Sequence, residues 1–148
     1  MARWTKEELE QAFDKYRKAA LKGAQTKDWR DWSNCFTVDA SYFEHHYGRF
    51  AGRETIHSWI SDTMAQWPAS QMDEFPITWY SIDEEKGWII CEVMNKMRDL
   101  GDGIVYQEPN ITILHYAGEG LFSYEEDAYN PANMATTIGA WIAAEKAL

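Results

Sequence analysis

Six consecutive residues, Tyr-Phe-Glu-His-His-Tyr at positions 42–47, form the densest group of titratable and aromatic side chains in the chain. Alternate residues of a strand share one face, so Glu44 would lie with Tyr42 and His46, opposite His45. Aromatic neighbours would desolvate the carboxylate and raise its pKa toward that of a general base. Glu44 is therefore the first candidate base, and His46 or His45 would assist or orient it. Alternation alone leaves open that this face is turned to solvent.

The two adjacent histidines do not predict a metal site. Neighbouring strand residues point in opposite directions, so the rings of His45 and His46 cannot ligate one ion. Glu44 and His46 could share a metal with His115 or Glu108, but no spacing typical of zinc sites occurs. The nucleotide-binding glycine motifs and the serine nucleophile elbow are missing as well. We expect no metal and no cofactor.

Two further polar side chains could hydrogen-bond a substrate oxygen on which charge accumulates. Tyr16 falls in the apolar stripe of a helix, and Asn110 shares a strand face with Thr112 and Leu114. Each could instead be a core residue with one hydrogen-bond partner in the protein. The acidic run at 125–127 is predicted to be a solvated strand edge, although alternation lets one side of it face inward.

Charge and composition exclude several classes of partner. The 148 residues include 24 Asp plus Glu and 14 Lys plus Arg, which gives a net charge of −10. An acidic chain without a basic cluster is a poor ligand for nucleic acid or for a membrane surface. We find no membrane-spanning run and no signal-peptide core, so the expected location is cytoplasmic. Cys35 and Cys91 are predicted to be reduced packing thiols.

Helical periodicity marks the first half of the chain. A capping box at Thr5 begins a helix that is predicted to end at Gly23. Asp28 is predicted to cap a short second helix that includes Phe36. A third helix is predicted over 56–67, before a proline.

A period of two marks the strands. One strand is predicted over 38–47, and Gly48 and Gly52 are predicted to bracket a turn. Four more strands with turn residues between them suggest an antiparallel meander; they are 75–82, 88–98, 105–116 and 121–129. Asn130 and Pro131 then begin the last helix. This order predicts an α+β fold in which helices cover one face of a curved sheet.

The mouth of the cone between sheet and helices is the expected binding site. Aromatic residues make up 15% of the chain, and such residues often form the walls of small-molecule pockets. The side chains expected to contact the substrate there are Tyr42, Trp59, Trp79, Met97, Tyr106 and His115.

Three segments, together with the order of elements, resemble the SnoaL-like branch of the nuclear transport factor 2-like superfamily. They are Phe36-Thr37-Val38-Asp39-Ala40, Gly52-Arg53-Glu54-Thr55-Ile56 and Tyr124-Glu125-Glu126-Asp127. The resemblance covers nearly the whole chain and implies one domain over 1–148. It implies a cone-shaped α+β barrel, with a curved, mostly antiparallel sheet wrapped around N-terminal helices and a C-terminal helix. The superfamily includes isomerases, cyclases, dehydratases, epoxide hydrolases and non-catalytic members.

The resemblance also implies roles for individual residues. The ketosteroid isomerase pattern places its catalytic base at Glu44, on the inward face. The tyrosine on the first helix falls near Tyr16, and the second oxyanion acid falls near Asn110, where an amide replaces a carboxyl. This departure argues against steroid isomerisation itself.

The sequence thus predicts a cofactor-independent acid–base enzyme, a lyase, dehydratase, isomerase or cyclase, acting on a hydrophobic small molecule with aromatic or polycyclic rings. Elimination or C–C cleavage on an aryl substrate is favoured, because the pocket is predicted to be aromatic and the isomerase acid is missing. The alternative is a non-catalytic module that binds a hydrophobic ligand or mediates association. Under either hypothesis the resemblance implies a homo-oligomer, a dimer or trimer.

Overall fold

One curved sheet of six strands, partly covered by helices, forms the frame of the molecule. The computed structural model describes residues 2–148. The helices are α1 (Lys6–Thr26), α2 (Arg30–Ser33), α3 (Arg53–Ala65) and α4 (Pro131–Lys146), with a short 3₁₀ turn at Ala69–Gln71. The strands are β1 (Phe36–Glu44), β2 (Gly48–Ala51), β3 (Ile77–Asp83), β4 (Trp88–Lys96), β5 (Gln107–Gly118) and β6 (Leu121–Ala128). Within residues 2–148 we find no helix of the length and apolarity that a bilayer crossing requires.

The sheet order is β2-β1-β6-β5-β4-β3. Strands β3 to β6 form the predicted antiparallel meander, and β1 pairs with β6 in parallel. Strands β2 and β3 are the two edges and do not pair with each other, so the sheet is open. The α+β class and the curved sheet are confirmed, and the expected barrel is an unclosed one.

The helices begin and end close to the residues that the sequence predicts. Thr5 caps α1 by accepting a hydrogen bond from the Glu8 backbone N–H at 3.1 Å. The helix then runs past Gly23 and ends when Lys27 adopts a left-handed conformation. Asn130 caps α4 in the same way as Thr5 caps α1, and Pro131 is its first residue.

Three predictions near the first strand were wrong, and one of them is the turn between Gly48 and Gly52, where residues 48–51 form β2. Phe36 belongs to β1 and not to the second helix, which has only four residues. Strand β1 ends at Glu44, and the chain turns back through 45–47 into β2, which pairs with β1 up to Gly48 opposite Glu44. The aromatic residues after Glu44 favour a strand on propensity, but tertiary pairing ends the strand earlier.

The core lies between the helices and the concave face of the sheet. Leu9 and Phe13 of α1 are fully buried, and Trp141 of α4 is fully buried with its indole N–H donating to the Arg98 carbonyl at 2.9 Å. Each such large side chain contributes about 1.5–3 kcal/mol by leaving water. Cys35 and Cys91 are both buried and unpaired, as packing thiols would be.

Trp4 closes the end of the sheet that is remote from Glu44. Its ring packs edge-on against Tyr116 at 5.2 Å, and it lies over the hairpin glycines Gly87 and Gly118. A Cβ at Gly87 would lie 2.5 Å from the Trp4 ring, so only glycine fits there. The N-terminal segment is thereby fixed to the β3–β4 and β5–β6 hairpins.

Replacing Gly87 by alanine should destabilise the protein by more than a positive φ alone explains. Gly87 and Gly101 have similar φ angles, +70° and +76°, but the space beside Gly101 is open. Gly101→Ala should cost about 1–2 kcal/mol of unfolding free energy from backbone strain. Gly87→Ala should cost about 1–3 kcal/mol more from overpacking against Trp4. Urea unfolding of both variants measures the difference, and equal losses would contradict the packing of Trp4.

Candidate active site

Strand register brings two rows of inward-facing side chains together. In the parallel pair, Tyr42 lies opposite Glu125 and Glu44 lies opposite Asp127. In the neighbouring antiparallel pair, Asp127 lies opposite Thr112. Because paired residues share a face, these five side chains point to the concave side of the sheet.

These rows form part of the wall of a cavity of about 420 Å³. The volume lies within the range of about 300–1,000 Å³ that is typical of small-molecule sites. Residues of the four helices, of the segment 69–76 and of β3, β4 and β5 complete the wall, which is mainly aromatic and aliphatic. Its charged members are Arg17, Glu44, Glu74, Glu125 and Asp127.

A chain of hydrogen bonds joins Glu125 to Asp127 through Tyr42. Tyr16 donates to Glu125 Oε1 at 2.5 Å. The Tyr42 hydroxyl lies 2.5 Å from Glu125 Oε2 and also hydrogen-bonds Asp127 Oδ2. One phenol has one proton, so it can donate to only one of the two carboxyl groups. The other carboxyl must be protonated and must donate to the phenol oxygen.

Glu125 is the protonated member. Its side chain is only 2% exposed, and burial followed by the nearby Asp127 charge raises its pKa well above the ordinary value. The chain therefore runs from neutral Glu125 to the Tyr42 oxygen, and from the Tyr42 hydroxyl to Asp127. Burial, with the Asp127 charge adding to it, also raises the pKa values of Tyr16 and Tyr42, so both phenols keep their protons.

Asp127 is the charged end of this chain. It accepts from Tyr42 on Oδ2 and from the Thr112 hydroxyl on Oδ1 at 2.7 Å. Thr112 in turn accepts from the Asn110 amide at 3.0 Å. The Asn110 carbonyl oxygen is buried and has no hydrogen-bond partner among the described residues. Asn110 thus lies on the cavity wall, two residues along the strand from Thr112.

Glu44 presents a second carboxyl group beside Asp127. Its side chain is 4% exposed; Oε1 accepts from the His46 backbone N–H at 2.7 Å and Oε2 from the Tyr129 hydroxyl at 3.0 Å. Burial raises the pKa of Glu44, and the Asp127 charge adds to this, although the two hydrogen bonds oppose it. The structure therefore turns Glu44 inward and holds its pKa above the ordinary value of a glutamate, as is common at functional sites.

The histidine side chains do not join this cavity. His45 pairs with Glu126 on the opposite face of the sheet at 2.8 Å and stacks on Phe43. The ring of His46 is exposed in the turn, beside Tyr47. Neither ring is therefore placed to act as the expected second acid–base group. Alternation turns His45 to the opposite face from Glu44, and β1 ends at Glu44 before alternation could turn His46 inward. His46 orients Glu44 only through its backbone N–H.

The predicted substrate-binding residues divide into two groups. Tyr42 and Trp59 line the cavity, but the other four do not. Trp79 is 46% exposed on β3, Met97 is buried in the core, and Tyr106 bonds Asp102 in a loop. His115 stacks between two rings on the convex face, because it has the opposite strand parity to Thr112.

Sequence reasoning missed several site residues. Glu125 and Asp127 were predicted to be on a solvated edge, but β6 lies between β1 and β5, so its inward side chains are buried. The signal available was alternation, which separates Glu126 from the other two acids. Thr112 and Tyr129 complete the site and carry no motif of their own. No group of three or more His, Cys, Asp or Glu side chains within residues 2–148 is placed to hold a metal ion.

Comparison with known proteins identifies the fold. No family model matches the chain, and no curated protein matches its sequence. Solved structures do match. One is a protein with a ketosteroid isomerase-like fold from Catenulispora acidiphila, in complex with trimethylamine. It gives a TM-score of 0.66, at 20% identity over 84% of this chain and 92% of that one. An LEH-like epoxide hydrolase from Mycobacterium tuberculosis gives a TM-score of 0.68, at 13% identity over 93% of this chain and 94% of that one. A protein from a Jannaschia species assigned as a SnoaL-like polyketide cyclase also gives 0.68, at 15% identity over 90% and 93%. The chain therefore has the nuclear transport factor 2-like fold.

Replacing Glu125 by glutamine should reveal its buried proton through the pH dependence of stability. The raised pKa means that the folded protein keeps a proton which the unfolded chain releases above about pH 4.3. Wild type should therefore lose stability relative to Glu125→Gln as pH rises, by at most about 1.4 kcal/mol for each pH unit. Urea unfolding between pH 5 and pH 8 measures this difference.

Glu126→Gln provides the matched control one residue away, on the other face. Its hydrogen bonds with His45 and Tyr124 lower the pKa of Glu126, so its stabilising effect is already complete above the unfolded value. In a His45→Gln background, where the pair with Glu126 adds no pH dependence, replacing Glu126 by glutamine should give no difference that grows in the Glu125 direction. Parallel pH profiles for wild type and Glu125→Gln would show that Glu125 is ionised in the folded protein.

Proposed function

We propose that this protein is a cofactor-independent acid–base enzyme that acts on a hydrophobic small molecule in the 420 Å³ cavity. The observation that carries the proposal is the set of three carboxyl groups on adjacent strands, held in different states by their surroundings. Glu125 keeps its proton, Asp127 accepts at the other end of a hydrogen-bonded chain, and burial raises the pKa of Glu44 beside it. Carboxyl groups with separated pKa values are a recurring basis for acid–base catalysis.

Glu44 is the base in this proposal. It takes a proton from a substrate carbon, and its raised pKa increases the driving force for that transfer. The Glu125–Tyr42–Asp127 chain moves one proton toward the cavity, and Asp127 delivers it to the substrate oxygen on which charge develops. Glu44 then holds one extra proton and the chain lacks one, so the total is conserved.

Two reaction classes use these transfers. In an isomerisation, Glu44 returns its proton to a different atom and the oxygen-bound proton goes back to the chain. In an elimination, the C–O bond breaks and the protonated oxygen leaves. The proton held by Glu44 then returns to the Glu125–Tyr42–Asp127 hydrogen-bonded chain. The aromatic wall favours ring-containing substrates. We propose a lyase or an isomerase on that basis.

The comparisons support a catalytic use of the fold without naming the reaction. The similar structures include proteins described as isomerase-like, epoxide hydrolase-like and cyclase-like. One of them is bound to trimethylamine, which is consistent with a cavity that admits small organic molecules. The competing hypothesis is a container that binds a hydrophobic ligand and breaks no bond.

Deuterium exchange separates these hypotheses without knowledge of the natural substrate. Bicyclic ketones such as 2-tetralone are incubated with the protein in heavy water, and loss of the proton next to the carbonyl is followed by NMR. We expect wild type to accelerate exchange and Glu44→Gln to slow it by about 10²–10⁴-fold, the usual contribution of one positioned base. Glu126→Gln removes the same charge outside the cavity and should exchange like wild type. Ketone binding without accelerated exchange would favour the container.

The exchange rate should rise with pH through the titration of Glu44. A base must be ionised to accept a proton, and burial places this pKa above the ordinary range of glutamate. The kcat/KM profile should therefore be low in acid and reach a plateau near neutrality. A profile that stays flat down to the ordinary glutamate range would assign the proton transfer to another group.

A further inference from the structure

We infer that the cavity recognises a cationic ammonium group on its ligand, at the end that contains Glu44. This inference deepens the proposed function by naming a substrate class, and it rests on that function only for the chemistry that follows binding. Binding itself depends on the aromatic faces, the uncompensated charge and the free acceptor described below.

Aromatic rings line the same cavity as the Glu44 carboxylate. The Tyr129 hydroxyl bonds Glu44, and Tyr47 follows it closely in the chain at the cavity mouth. Trp59 lies 5.0 Å from the ring of Tyr42 and 6.0 Å from that of Tyr47. All four of these rings line the cavity. Ring faces attract cations through the quadrupole, most strongly where water is excluded.

The indole ring of Trp59 is held in place from behind. Phe50 stacks on it, with ring centroids 4.7 Å apart and an angle of 21° between the planes. A second neighbour, Tyr42, is fixed by its bonds to Glu125 and Asp127. The aromatic wall is therefore preorganised, which reduces the entropy lost when a ligand binds.

The charges on the cavity wall do not cancel. Arg17, the single cation of the wall, pairs with Asp14 and lies over the ring of Phe13 at 5.0 Å. Glu74 is paired with Lys96. With Glu125 neutral, Glu44 and Asp127 remain as adjacent carboxyl groups without a basic partner among residues 2–148. A bound cation would be attracted to these two acidic side chains, whereas an anionic ligand would be repelled.

Buried polar atoms without a hydrogen-bond partner among residues 2–148 indicate which functional groups the ligand carries. Asn110 is 6% exposed, and its carbonyl oxygen accepts no hydrogen bond from residues 2–148. A buried acceptor of this kind favours a ligand with an N–H or O–H donor. The indole N–H groups of Trp29 and Trp59 are also unpartnered, which favours an acceptor elsewhere on the same ligand. An apolar amine that also bears an oxygen function would satisfy both requirements.

Two isosteric probes test the charge alone. N,N,N-trimethylanilinium and tert-butylbenzene have nearly the same shape, and only the first is a cation. Binding is followed by tryptophan fluorescence and by calorimetry. We expect the cation to bind wild type at least about tenfold more tightly, as desolvated cation–π contacts and a nearby carboxylate together allow.

Variants separate the two sources of recognition. Glu44→Gln should weaken the binding of the cation by about tenfold and change the affinity for tert-butylbenzene by less than about twofold. Trp59→Leu should weaken the cation more than the neutral probe, because a leucine has apolar surface but no ring face. Glu126→Gln, on the convex face, should leave both affinities unchanged.

The inference is overturned if tert-butylbenzene binds wild type as tightly as the cation does, or if the cation does not bind at all. The proposed function fails by a different result, namely Glu44-independent exchange of neutral ketones. Charge selectivity without accelerated exchange would support the ammonium site and contradict the enzymatic function. Glu44-dependent exchange without charge selectivity would support the enzymatic function and contradict the ammonium site.

Discussion

The rest of this site depends on one parallel strand pair that buries acidic side chains. Strands β1 and β6 place Tyr42 beside Glu125 and Glu44 beside Asp127. Three carboxyl groups in one small cavity could not all be ionised, since like charges at such separations repel strongly in a medium of low polarity. The protein resolves this by keeping a proton on Glu125 and by giving Asp127 and Glu44 hydrogen-bond donors. Every other feature of the site follows from that distribution of protons.

The surrounding elements serve this arrangement. Helix α1 supplies Tyr16 as a donor to Glu125, and strand β5 supplies Thr112 as a donor to Asp127. The segment between β6 and α4 supplies Tyr129 for Glu44. Each carboxyl group is thus held by an element other than its own strand. A buried network of this kind is stable only when its members are satisfied, so the helices and the sheet depend on each other for more than apolar packing.

Much of the fold could be predicted from local signals, and part of the site could not. The capping box at Thr5, the period-two strands and the Asn130-Pro131 start gave the correct elements, because short-range chemistry determines them. The inward orientation of Glu44 came from a resemblance to a family pattern. The burial of Glu125 and Asp127 required the neighbours of β6, and a pairing between segments so distant in sequence leaves no local trace. The expected role of His46 was wrong because β1 ends at Glu44, two residues before it. The ring of His45 lies on the opposite face of the sheet from Glu44, as alternation requires.

The parallel pairing also bears on how the chain reaches its structure. Tyr42 and Glu125, which share a hydrogen bond, are 83 residues apart. Trp4 and the hairpin of Gly118 span more of the chain still. During synthesis the first half therefore has neither β6, with which β1 pairs in parallel, nor the hairpin surface against which Trp4 packs. Contacts of such high sequence separation close slowly, because the entropy of loop closure is lost before they form. The same long-range contacts make folding cooperative, so that the acidic cavity forms only with the whole domain.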